Sequence, residues 1–168
     1  MPLRANGIMQ PAVSGHWERH SLATFGEVLQ KLAHTVDFRS ASLYVMSPDS
    51  GCLRCVAEHG DGINFIEGVK FANGPGLSAW VAQKRRTIHL ADIHRGSRHG
   101  HEPIRSYLAM PIYVDDEVAA VLNLGHVLPN AFSEKMPLLK AFGDQLAPAL
   151  KSHLQKRHGF SGGDRRRN

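Results

Sequence analysis

From Trp17 to Val36, the apolar residues Trp17, Leu22, Phe25, Leu29, Leu32 and Val36 recur every three to five positions, with Glu18, Glu27 and Lys31 interspersed. That spacing lays one apolar stripe along a helix and predicts an amphipathic first helix. The period then shortens. Ser40 to Ser47 and Cys52 to His59 are rich in β-formers, and Pro48-Asp49-Ser50-Gly51 between them has turn chemistry, so the pair reads as a β-hairpin. A short extended run, Val69 to Ala72, leads into Asn73-Gly74-Pro75-Gly76, a glycine turn that opens a short helix from Leu77 to Lys84. Thr87 to Ile93 is extended again. His94 to Arg105 has no apolar period and reads as a surface loop.

Ser106 to Val114 and Val118 to Leu124 are strongly apolar and are separated by Asp115-Asp116-Glu117, a tight polar turn suited to adjacent antiparallel strands. In the second run, Val118, Ala120, Leu122 and Leu124 alternate with Ala119, Val121 and Asn123. Both faces are largely apolar, which predicts a central strand covered on both sides. Ser133 is placed to cap a last helix carrying Met136, Leu139, Phe142, Leu146, Leu150 and Leu154. Pro148 removes the hydrogen bond to the Asp144 carbonyl there, and a kink is expected. The order of elements predicts an α+β fold. Its central antiparallel β-sheet of about five or six strands has N- and C-terminal helices on one face and short helices and loops on the other.

A chain of 168 residues has the length of one domain and buries enough surface to need no staples. Its two cysteines, Cys52 and Cys55, could close only a tiny loop, which excludes a disulfide scaffold and favours a reducing cytoplasm. The CxxC spacing falls on an extended run, where positions three apart point to opposite faces. It therefore predicts a core thiol at Cys55 and an edge thiol at Cys52, not a redox pair. The apolar runs are too short to span a bilayer.

The net charge of +5 changes meaning once located. Residues 151–168 carry all of it, and the remaining body is balanced, which argues against a nucleic-acid-binding surface on the fold itself. The chain divides into a flexible segment at 1–15, one domain at 16–157 and a disordered basic tail at 158–168.

Three segments together resemble the GAF family of small-molecule sensing modules. They are Gly74-Pro75-Gly76-Leu77-Ser78-Ala79-Trp80-Val81, then Ser106-Tyr107-Leu108-Ala109-Met110-Pro111-Ile112 with Val118 to Leu124, then Ala131-Phe132-Ser133 leading to Leu139-Lys140-Ala141-Phe142-Gly143-Asp144-Gln145-Leu146-Ala147. The resemblance covers about residues 17 to 155. It implies a bacterial cytoplasmic sensor that holds a ligand between one sheet face and the loops crossing it. It also implies a homodimer paired through its terminal helices, signalling through a partner protein. The sequence lacks a clear Asn-Lys-Phe-Asp-Glu signature, the mark of the family's cyclic-nucleotide sites, and has no bilin-attachment cysteine after Ile93. The alternatives are an oxidoreductase resembling free methionine sulfoxide reductase and a ligand-free dimerisation or adaptor module.

Lys84 to Arg105 holds six basic residues, two acids and four histidines. Read as a pocket edge, it offers His94, Arg98, His99, His101 and Arg105 to an anionic ligand, because guanidinium forks and imidazole donors match carboxylate, nitrate or phosphate. Read as a solvated basic loop, it binds nothing. The three loop histidines lack the helical spacing of strong zinc motifs, and no metal or cofactor is assigned. Tyr44, Trp80 and Tyr107 are candidates to stack on a ligand or to serve as ordinary packing. Asn123, the polar residue in the apolar central strand, reads as a pocket donor or a structural clamp, since its buried amide must be hydrogen-bonded. No catalytic constellation stands out, so no enzymatic activity is expected.

Overall fold

The computed structural model describes residues 16–48, 50–60, 76–94 and 104–160. The expected lead-in at 1–15, the strand Val69–Ala72 and the end of the basic tail lie outside them.

Helix α1 (His16–Ala33) is followed by strands β1 (Ser40–Met46) and β2 (Leu53–Gly60), helix α2 (Leu77–Lys84) and strand β3 (Ile88–Leu90). Strands β4 (Ser106–Val114) and β5 (Glu117–His126) lead to helix α3 (Met136–Phe160). The described strands form one antiparallel sheet in the order β2-β1-β5-β4-β3. β5 is its middle strand, buried from Ala119 to His126, as its two apolar faces predict. It pairs with β4 through a tight turn in which Asp115 and Asp116 both take positive φ, 49° and 65°. That is the backbone a two-residue hairpin turn requires, and aspartate tolerates it better than most residues.

The two faces are filled differently. Leu43 and Val45 of β1, Leu108 and Ile112 of β4 and Leu122 and Leu124 of β5 pack against Phe25, Leu29 and Leu32 of α1 and Leu139, Leu146 and Leu150 of α3. Each such side chain contributes about 1.5–3 kcal/mol on leaving water, so this layer is the main source of stability. The opposite face carries α2, with Leu77, Val81 and Ala82 over Tyr107, Ala109 and Val121.

One local expectation is corrected. Ser133 lies in a 3-10 turn, Ser133–Lys135, that precedes α3 and carries no side-chain cap. Helix α3 contains Pro148 and continues to Phe160, beyond the last apolar position of the sequence pattern.

The β1–β2 ladder is irregular. Leu43 pairs with Ala57 while its neighbour Tyr44 pairs with Cys55, leaving Val56 as an extra residue on the outer strand. Such a bulge blunts an exposed sheet edge against pairing with other chains. It also changes the phase of β2, so that Cys55, opposite Tyr44, and Glu58, opposite Ser42, lie on the same face.

Candidate functional site

Alternation along the central strands sends Ser40, Ser42 and Tyr44 of β1, Tyr107 and Ala109 of β4, and Val121, Asn123 and Gly125 of β5 to the α2 face. The polar members converge on Asn123. Its Oδ1 accepts from the Tyr107 hydroxyl at 2.8 Å and from Ser78 Oγ of α2 at 3.1 Å, and its Nδ2 donates to Ser42 Oγ at 3.3 Å. Asn123 and Tyr107 are fully buried, with Ser42 and Ser78 nearly so. One amide thus joins β5 to both neighbouring strands and fastens α2 to the sheet, which satisfies the clamp reading.

The hydrogen-bonding capacity of this face is not exhausted by the clamp. Ser40 is 2% exposed, and its Oγ has no hydrogen-bond partner among the described residues. It pairs with Gly60 on one side and Gly125 on the other, so neither neighbouring strand places a side chain beside it. A Cβ at Gly125 would lie 2.9 Å from Ser40 Oγ and 3.2 Å from Ile104 Cδ1. Tyr44 has no hydrogen bond among the described residues. Burial, together with Cys55 and Glu58 beside it, raises its phenol above the ordinary value of 10.0. Burial likewise raises Tyr107, with Tyr44 adding to the effect and the Ser78 hydrogen bond opposing it.

Tyr44, Tyr107 and Asn123 are therefore brought together on one face, with half-buried Trp80 packed in the same apolar cluster. The basic segment behaves differently. Arg105 forks onto Asp92 at 2.7 and 2.9 Å, with its Nε on the same carboxylate at 3.1 Å. His94 Nε2 lies 3.3 Å from Asp92 too, and the His94 side chain is 82% exposed. Arg98, His99 and His101 lie outside the described residues.

Cys55 is an exposed residue of the edge strand, not a core thiol, because the bulge at Val56 leaves it on the sheet margin. Partial burial of its sulfur and the Glu58 carboxylate push its pKa up to about 11, while the Ala57 carbonyl, which accepts from its Sγ, acts in the opposite direction. Cys52 precedes the strand, with its Sγ against the Ser50 carbonyl at 3.5 Å. No cluster of three metal-ligating side chains exists among the described residues.

Ser40, Ser42 and Ser78 escaped the sequence reading. The alternation Ser40-Ala41-Ser42-Leu43-Tyr44-Val45 was the available signal, since it writes a polar face onto a buried strand.

A separate open groove of about 570 Å³ lies between β4 and α3, bordered by Met110, Ile112, Tyr113, Met136, Lys140 and Asp144. Gly143 marks the close approach of the helix to the strand there.

The family model of the GAF domain matches residues 20–151, and the chain belongs to that family. No curated protein matches the sequence. Among solved structures, the fold is similar to type II free methionine-R-sulfoxide reductase from Thermoplasma acidophilum (TM-score 0.63, 17% identity, covering 80% of this chain and 95% of that one). It is similar too to the free methionine-R-sulfoxide reductase of Neisseria meningitidis solved with its substrate (TM-score 0.62, 17% identity, 81% of each chain). A third likeness is the GAF domain of a phosphoenolpyruvate-protein phosphotransferase from Coxiella burnetii (TM-score 0.58, 20% identity, 89% of this chain and 88% of that one). At these identities, the likeness establishes a shared fold. No helix among the described residues is long and apolar enough to cross a membrane.

Proposed function

We propose that this chain is a non-catalytic small-molecule sensor that binds its ligand on the α2 face of the sheet, bordered by the 84–105 segment. The observation that carries the reading is a set of polar side chains on a buried, otherwise apolar sheet face, with hydroxyl capacity left over after the Asn123 clamp is satisfied. Binding sites of small molecules combine apolar walls with a few placed polar groups in this way. α1 and α3 cover the opposite face, so a ligand that favours one sheet geometry biases the helices only through a difference in affinity between two helix arrangements. The reading includes a cytoplasmic homodimer paired through those helices and a downstream partner protein.

Native mass spectrometry of freshly purified full-length protein tests both parts, since it reports bound small molecules and subunit number together. A dimer carrying a non-covalent adduct is expected. A protein that neither carries an adduct nor gains one from any small-molecule panel would overturn sensing.

The reductase reading competes because two similar folds belong to free methionine-R-sulfoxide reductases. The raised pKa of Cys55 weighs against it, as a protonated thiol is a poor nucleophile. Turnover of free methionine-R-sulfoxide with a thioredoxin system, lost in Cys52→Ser or Cys55→Ser, would replace sensing with catalysis.

A further inference from the structure

We propose that the α2-face site recognises uncharged hydrogen-bond acceptors, through the hydroxyl row Ser40, Ser42 and Tyr44 on β1. This inference rests on the sensing reading and names the ligand class for the same site.

The row follows from strand geometry. Residues i, i+2 and i+4 of one strand share a face at roughly 7 Å intervals, so β1 presents three hydroxyls in line beside the central strand. Each retains a proton to give. Ser40 Oγ is buried and without a partner among the described residues, a state that is unfavourable unless an acceptor arrives. Ser42 Oγ accepts a hydrogen bond from Asn123 Nδ2 and keeps its own proton to donate. The Tyr44 hydroxyl has no acceptor among the described residues, and its raised pKa keeps it protonated.

Charge then selects the class. Among the described residues, the titratable groups set beside this row are Cys55 opposite Tyr44, Glu58 opposite Ser42, and Tyr107 on the same face; none of them is a cation. The described cation nearest in sequence to the β4 end of the face, Arg105, is already forked onto Asp92. An anion placed against the row would exchange its hydration for neutral donors and meet the field of the Glu58 carboxylate. An uncharged carbonyl, amide or sulfoxide oxygen loses only its water hydrogen bonds and regains them from the hydroxyls.

The test uses two methyl-bearing probes of similar size, dimethyl sulfoxide and sodium acetate, read by saturation-transfer difference NMR on the full-length protein. Dimethyl sulfoxide should give the stronger response. It should fall several-fold in the Ser40→Ala/Tyr44→Phe double variant, whose circular dichroism and melting midpoint stay close to those of the parent. An acetate response equal or greater, or a dimethyl sulfoxide response indifferent to the double variant, overturns the ligand class. The identity of any adduct in native mass spectrometry separates the two levels. A retained carboxylate or phosphate compound sinks the neutral class and leaves sensing intact. A protein with no adduct and no response to either probe loses both.

Discussion

The Tyr107 hydroxyl meets Asn123 Oδ1 at 2.8 Å, and that same oxygen accepts from the Ser78 hydroxyl of α2, so one amide oxygen links β4, β5 and the helix. Replacing Asn123 by leucine takes the shared acceptor from the Tyr107 and Ser78 hydroxyls and the donor from Ser42 in a buried layer. The expected loss is about 3 kcal/mol, since each unsatisfied buried group costs roughly 1–3 kcal/mol and the leucine regains some of it by packing. Tyr107→Phe, which leaves the Ser78 and Ser42 bonds in place, should cost about 1 kcal/mol. Urea midpoints of the two variants check both values; equal and negligible losses would show that the clamp carries no stability.

Two glycines should respond to alanine with opposite signs. At Gly125 the new Cβ would lie 2.9 Å from Ser40 Oγ and 3.2 Å from Ile104 Cδ1 in a buried row, so those side chains must give way and a loss of about 1–3 kcal/mol is expected. At Gly143, inside α3, the Cβ would meet Ile112 and Met110 at 3.5 and 3.6 Å, which is ordinary contact. There the gain in helix propensity decides, and Gly143→Ala should stabilise by about 0.5–1 kcal/mol. Thermal midpoints moving apart would support this assignment, whereas a destabilised Gly143→Ala would refute it.

How much of this was readable beforehand depends on the range of the interaction. The central position of β5 follows from Ala120, Leu122 and Leu124 alternating with Ala119 and Val121, because periodicity reports burial directly. The family likewise follows from three ordered segments, and the match over 20–151 establishes it. Asn123 could be singled out as a polar residue in an apolar strand, but its partners could not. Ser42 and Ser78 lie 81 and 45 residues away, and nothing local announces which hydroxyls a fold will bring together. The position of Cys55 depended on a bulge at Val56, which is a property of strand pairing and not of composition.

The pairing of Arg105 with Asp92 separates electrostatics from recognition. Both side chains are partly exposed, and such pairs contribute about 0.2–1 kcal/mol in water. Arg105→Ala should therefore lower stability by less than about 1 kcal/mol, with the difference from the parent shrinking as salt is raised. If the neutral ligand class holds, it should leave the dimethyl sulfoxide response unchanged. A large fall in that response on Arg105→Ala would assign the arginine to the ligand after all.

Thiol chemistry gives the last prediction. Burial and Glu58 hold Cys55 near pKa 11, against an ordinary value of 9.0. At pH 7.5, roughly one molecule in three thousand then carries the Cys55 thiolate. Iodoacetamide should modify Cys52 well before Cys55, with the Cys55 rate climbing tenfold per pH unit up to about pH 11, and Glu58→Gln should accelerate it at neutral pH. The same shift has a sign for stability. The folded state keeps the proton that the unfolded chain releases near pH 9, so this contribution is intact below pH 9 and is lost as pH rises towards 11. Mass-resolved alkylation rates at several pH values check the ordering. Rapid modification of Cys55 at pH 7.5 would mean an activated thiol, and the case for catalysis would have to be reopened.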